Sequence, residues 1–378
     1  MNTTKLIRSK TVSQSLRGLL RGQLRFMSEY GCNLIGVSGT WDSLEEIKVN
    51  ERVKVKAIFI TQTISIYQDL KDLYKLYIFL KKEGPQIAHT HTPKARTLGK
   101  LATKLAGVTH KLHTIPGLPL FEAGGFKRKL LITIEKITYY CTTKIYPNSF
   151  GFQEIILENK YIKPNKLKVF ANGSSIGIGT KHFEPAKYFK VDQNILIDNL
   201  GIKSRDCVFI FVRRLLAAKG NNELVASFSS LCKIKKNVKF FLLGPIENLD
   251  RLLPSTIKEL GLSKYFSPGS PKKCTAIFCH FGLLGFFQLS RRFSNVAMQA
   301  GAMGLLSILT NINGGCEIFN HKENKPVIPV KKTYALEKCK ANIMSKDNLF
   351  NQIKFKSREM IIDRFEQNLV FDAILASI

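Results

Sequence analysis

His89 and His91, within Gln86-Ile-Ala-His-Thr-His-Thr-Pro-Lys-Ala95, are the first residues whose types and spacing could do chemistry. A short apolar run ends there in polar residues, and Pro93 stops it before a helical pattern begins. Two positions apart on an extended chain, the imidazoles point to the same side. They could serve as acid, base or hydrogen-bond donor to a substrate. Equally, one could close the strand while the other bonds a neighbouring loop. His113-Thr-Ile-Pro-Gly-Leu-Pro119 is a second strand-to-turn junction, where Gly117 either lets backbone approach a ligand or simply permits the turn. Asn172-Gly-Ser-Ser175 reads as a tight turn of small hydrogen-bonding residues.

Cations follow in the second half. Phe211-Val-Arg-Arg-Leu-Leu-Ala-Ala-Lys-Gly220 puts Arg213 or Arg214 just past an apolar run and Lys219 just before a helical one. Two cations beside a helix N-terminus are what a diphosphate needs, although so basic a chain also brings cations together by chance. Ser294-Asn-Val-Ala-Met-Gln-Ala-Gly-Ala-Met-Gly304 opens on an N-cap residue, Ser294 or Asn295. Its Ala/Gly-rich helix could press closely on a sheet. Asn311-Ile-Asn-Gly-Gly-Cys-Glu317 then offers free backbone N–H groups. No Gly-x-Gly-x-x-Gly follows a strand and no Walker loop occurs, which counts against dinucleotide and P-loop chemistry.

The elements that must position these residues alternate. Strands are expected at 5–7, 33–37, 53–60, 86–89, 111–114, 144–146 and 167–170. Helices are expected at 16–27, 66–82, 95–105, 127–140 and 152–159. After a connector near 175–190 the pattern resumes, with strands at 208–212, 238–243 and 307–310 and helices at 222–233, 255–260 and 295–302. A terminal helix is expected over Met360–Leu375. Such alternation predicts two α/β domains, each a doubly wound parallel sheet, and ligands bind such sheets at the carboxyl ends of their strands.

The chain has 378 residues, enough for two domains. Lys and Arg number 58 against 28 Asp and Glu, a formal net charge of +30. Such a field attracts polyanions, but the cations are spread throughout and no nucleic-acid-binding motif appears. The eight cysteines form no CxxC pair. Cys274, Cys279, His280 and Cys316 fit no standard zinc spacing, so core thiols in a reducing compartment are expected. The N-terminus has no apolar core of the signal-peptide kind. The longest apolar stretch, Thr275–Leu289, is too short to span a membrane.

Taken in order, these segments resemble the bacterial family 4 retaining glycosyltransferases, most closely the sugar transferases of capsule, O-antigen or exopolysaccharide assembly. HTHTPKARTLGKLATKLAGV is similar to the family's HTHTPKAGLLGRLAA. GFKRKLL, EKITYYCTTKIYPNSFG, KLKVFANGSS and NVAMQAGAMG followed by TNING are equally close. The resemblance implies a GT-B fold: α/β, with two Rossmann-like doubly wound domains facing across a cleft. Residues 1–180 would hold the acceptor, 181–359 the nucleotide sugar, and 360–378 a C-terminal helix. It implies transfer of a sugar, with retention, from a nucleotide sugar to a lipid-linked polysaccharide precursor. No metal or other cofactor is implied. The place implied is the cytoplasm, peripheral on the anionic inner face of the membrane, with no nucleic-acid partner.

Residue by residue, the resemblance gives Arg214 and Lys219 to the leaving diphosphate. Ser294, Asn295, Val296, Gln299 and Glu317 fall to the donor, His89, Lys94 and Gly117 to the acceptor side, and His91 to catalysis. Departures cluster around the donor. The family's Glu-x7-Glu falls on Arg291 and Gln299, the glycine before Arg214 is Arg213, and an aspartate is Asn311. The run 272–293 departs from the family as a local frameshift would make it. Two readings follow: a working transferase, and a relic with a damaged donor site.

Overall fold

The computed structural model describes residues 3–39, 44–58, 65–91, 93–117, 123–188, 202–203, 206–212, 221–234, 237–244, 253–256, 258, 265–266, 283–285, 293–310, 314–315, 317–319, 327–328 and 347–378. The chain forms two compact units. One comprises Met1–Gly177 with Gln367–Ile378, the other Ile178–Glu366.

In the first unit, β1 (Lys5–Ser9), β2 (Asn33–Ser38), β3 (Lys54–Ala57), β4 (Ile87–Thr90), β5 (His110–Ile115) and β6 (Lys144–Pro147) form a sheet in the order β3-β2-β1-β4-β5-β6. Every pairing is parallel. Alternate side chains divide between its faces. Leu6 and Leu34 pack with Leu16, Leu24 and Ile47 of α1 (Ser13–Leu19), α2 (Gln23–Glu29) and α3 (Leu44–Glu51). Ile7 and Ile35 face the other way, toward Leu76 and Leu80 of α4 (Ile66–Glu83) and Leu98 of α5 (Pro93–Leu105). α5 lies between α4 and α6 (Gly125–Tyr140). This is the layering that right-handed crossovers require, because β3→β4→β5→β6 all step in one direction. α7 (Phe150–Glu158) follows β6, its N-cap Ser149 accepting from Phe152 N–H at 3.2 Å.

The second unit repeats the scheme with β7 (Cys207–Val212), β8 (Val238–Leu243), β9 (Tyr265–Phe266), β10 (Leu283–Gly285), β11 (Leu306–Thr310) and β12 (Val327–Ile328), ordered β12-β11-β10-β7-β8-β9. Phe209 of β7 meets Phe228 of α8 (Asn221–Ile234) edge-on, and Phe228 stacks on Phe240 at 3.8 Å. On the other face, Ile210 and Phe241 pack with Ala297 and Met298 of α9 (Asn295–Ala302) and with Ile361 and Phe365 of α10 (Asp347–Phe365).

Three expectations change. The helix expected over 16–27 is two, because left-handed Gly22 (φ 76°) starts α2 afresh. Residues 167–170 add no strand: only Leu167 bridges Ile145 before the chain turns through Ala171 and Gly173, both at positive φ. The terminal stretch is not one helix. α10 ends at Phe365 within the second core, Glu366 bridges Ile178, and α11 (Gln367–Leu375) returns Val370 and Ile374 to the first core.

Candidate active site

In the first unit the chemistry gathers where β1, β4 and β5 end. Register places Arg8 beside His89 and Thr90 beside His113. Arg8 Nη2 lies 3.3 Å from His89 Nδ1. A guanidinium only donates, so Nδ1 accepts and His89 carries its proton on Nε2, which donates to Thr114 Oγ1 at 2.8 Å. Arg8 also donates to Gln23 Oε1, and Gln23 Nε2 donates to Ser175 O at 3.0 Å. The chain around Asn172–Ser175 is indeed a tight turn, held by Ser174 N–H donating to Asn148 O at 2.8 Å.

His89 is thus turned inward with both ring nitrogens engaged. His91 stacks on it, ring centroids 4.3 Å apart and planes 26° apart. His91 Nε2 is buried without a hydrogen-bond partner. Lys10, one step beyond β1, is only 4% exposed. Lys100 is fully buried and donates to the carbonyls of Ala88 and Leu112. Burial, then neighbouring cations with Arg8 foremost for His89, holds both imidazoles well below the usual histidine value, so they are neutral at pH 7. Burial and then Arg8 bring Lys10 down to about 7. Among the described residues, the charged groups acting on these sites are cations and other imidazoles. Gly117 is buried two residues past β5, and Lys94 lies in the first turn of α5 with its side chain outside the described residues.

In the second unit Ser294 is the N-cap, its Oγ accepting from Ala297 N–H at 3.2 Å. Asn295, Val296 and Gln299 are half-buried on α9, Val296 packing against the core. α9 approaches α10 at Gly301, where a Cβ would sit 2.7 Å from Ile361 Cγ1. This contact, and not the sheet alone, accounts for the small residues. Glu317 Oε1 accepts from Gly314 N–H at 3.3 Å, Gly314 being left-handed at φ 87°. Arg364 grips the same turn, donating to Glu317 O at 2.9 Å and Ile318 O at 3.2 Å. Arg213, Arg214, Lys219, Arg291, Asn311, Cys274, Cys279, His280 and Cys316 lie outside the described residues.

The sequence reading missed Arg8, Lys10, Gln23 and Lys100. One signal was present: Arg8 and Lys10 repeat the spacing of two seen in His89 and His91, on the adjacent strand.

Two parallel-sheet α/β units of this kind define the GT-B class. The solved Anabaena HepE structure in complex with UDP and glucose matches with a TM-score of 0.78 at 14% identity, over 99% of each chain. Residues 192–360 match the family model for glycosyl transferases group 1, and 32–149 that for glycosyl transferase 4-like proteins. The chain is 26% identical to the Staphylococcus aureus capsular polysaccharide biosynthesis glycosyltransferase CapM, over 99% of this chain and 96% of that one. It is 29% identical to the Escherichia coli UDP-Gal:alpha-D-GlcNAc-diphosphoundecaprenol alpha-1,3-galactosyltransferase, over 69% and 67%. Both halves of the chain thus match glycosyl transferase family models, and the curated relatives it resembles are glycosyltransferases.

Proposed function

We propose that this transferase moves a sugar from a nucleotide sugar to a lipid-linked polysaccharide precursor of the capsule or O-antigen kind, with retention. The observation that carries the reading is the buried cationic edge of the first unit, where His91 Nε2 has no partner. An acceptor joined to its lipid through a diphosphate would bring an anion to this edge. The relatives support it: one is named for a diphosphoundecaprenol acceptor, and a structural neighbour holds UDP and glucose.

In this reaction the C1–O bond to the diphosphate breaks, the acceptor hydroxyl oxygen bonds to C1 on the same face, and the hydroxyl proton passes to the departing diphosphate oxygen. Neutral His91 orients that hydroxyl through a hydrogen bond. Arg214 and Lys219, with the N–H groups at the start of α9, take up the charge of the leaving nucleoside diphosphate. No metal is needed in this reading. We place the protein on the cytoplasmic face of the membrane, held peripherally. No described helix is long and apolar enough to cross it, and the net charge of +30 suits anionic lipid.

A panel of nucleotide sugars with a lipid-diphosphate acceptor tests this. Sugar transfer is expected; neither donor hydrolysis nor binding of any nucleoside diphosphate would overturn it. One observation favours the relic reading, namely Arg291 standing where a donor-binding carboxylate belongs. Under it the native chain is silent and Arg291→Glu gains turnover.

A further inference from the structure

α4 carries an exposed stripe that no core needs. Ile66, Tyr67, Leu70, Tyr74 and Ile78 follow one another at helical spacing, and Ile66 and Tyr67 are 80% and 79% exposed. The other exposed side chains of this helix are Lys71, Lys75, Lys81 and Lys82. Its acids are withdrawn: Asp72 is buried, Asp69 half-buried, and Glu83 paired with Lys5 at 2.7 Å.

α6, on the same side of the sheet, repeats the arrangement. Phe126 and Tyr140 are 81% and 74% exposed, with Leu130 and Ile137 between them. Lys127, Arg128, Lys129 and Lys136 complete the exposed face apart from Thr133, while the single acid, Glu135, is buried. Lys104 of α5 lies over the Tyr140 ring at 3.7 Å, adding a cation beside the α6 face.

A face of aromatic and aliphatic tips interleaved with cations, and cleared of exposed acids, has the chemistry of an interfacial surface. Aromatic side chains settle at the headgroup level, lysine stems reach past them to phosphates, and anionic lipid draws in the cations. We propose that the outer face of α4 and α6 is the surface by which this protein docks on anionic phospholipid, lying in the interface without crossing it. The occupant is a bilayer because both helices, in one layer with α5 between them, present the same composition over a broad face. A second copy of so basic a face would repel it. The inference deepens the peripheral-membrane part of the proposed function and rests on it.

The test is co-sedimentation of the full chain with vesicles of equal parts phosphatidylglycerol and phosphatidylethanolamine, against vesicles of phosphatidylcholine alone. Three proteins are compared: native, an apolar-face variant (Tyr67→Ser, Tyr74→Ser, Phe126→Ser), and a charge variant (Lys71→Gln, Lys75→Gln, Lys129→Gln). Native protein should favour the anionic vesicles, and each lost cation should weaken partition on the order of fivefold. The apolar variant should lose binding with both variants keeping the native circular dichroism spectrum. UDP binding, read in parallel without lipid, should be native in all three. Equal partition to both vesicle types, or variants that sediment as native, would overturn the proposal. So would a change in oligomeric state by light scattering with lipid binding intact, because the face would then join two copies. Lipid binding with no nucleotide binding would leave docking standing and remove the transferase reading instead.

Discussion

The imidazoles of His89 and His91 stack with centroids 4.3 Å apart, yet only His89 is tied into the protein. Its Nδ1 accepts from Arg8 and its Nε2 donates to Thr114, whereas Nε2 of His91 is unpartnered. In the proposed reaction His89 is the positioning residue and His91 the one left to meet substrate.

The two should therefore separate on substitution. His89→Ala strands the Arg8 guanidinium and Thr114, and is expected to cost about 2–3 kcal/mol of stability. His91→Ala should leave the unfolding free energy within about 1 kcal/mol of native but lower kcat by roughly 10²-fold. Chemical denaturation beside turnover measurements distinguishes them. Equal effects of both variants on both readouts would contradict the division of roles.

Stability should rise with pH. Burial holds His89 and His91 well below 6.5, so the unfolded chain binds these protons more readily than the folded one. Their contribution is complete above 6.5 and is lost as pH falls below it. Lys10, lowered from 10.5 to about 7, adds a second rise between those values as the folded ammonium gives up its proton first. Thermal unfolding across this range checks both steps. Lys10→Met should abolish the alkaline step and raise Tm at neutral pH, since it removes a buried cation.

Much of this was legible in advance. The strands at 33–37, 111–114 and 238–243 were, because parallel sheets buried on both faces leave continuous apolar runs. So was the N-cap at Ser294, whose hydroxyl signals its own role. The buried cations were not. A Lys or Arg reads as solvent-facing, and only the packing of β1 against β4 reveals that Arg8 and Lys10 lie inside. α3 escaped because Glu45, Glu46 and Lys48 dilute its apolar positions, although Leu44 and Ile47 reach the core. The break at Glu366 also lay beyond pattern, since both sides of it are apolar at helical spacing. What separates them is the core each joins.

Gly301→Ala should destabilise the second unit by about 1–3 kcal/mol. Its Cβ would meet Ile361 Cγ1 at 2.7 Å and Phe319 Cε1 at 3.1 Å, and Ile361 is fully buried. Urea unfolding measures the loss, and Gly301→Ala should cost less in an Ile361→Ala background, where the clashing Cγ1 is gone. A neutral Gly301→Ala would mean that α9 does not depend on this close approach.

Arg364→Ala removes the two donors that hold the carbonyls of Glu317 and Ile318. The Gly314–Glu317 turn should loosen, weakening nucleoside diphosphate binding by about tenfold, or 1.4 kcal/mol, while the first unit is unaffected. Calorimetric titration with UDP reads this directly. Unchanged affinity would remove Glu317 from the donor site.

Under the proposed function this chain turns over a nucleotide sugar despite Arg291 and Gln299. The most direct measurement is product analysis after incubating native protein with nucleotide sugars and a diphosphate-linked lipid acceptor. A glycosylated lipid with the donor's anomeric configuration is expected, with one nucleoside diphosphate released per transfer. No product from the native chain, with product appearing in Arg291→Glu, would contradict it and identify a relic.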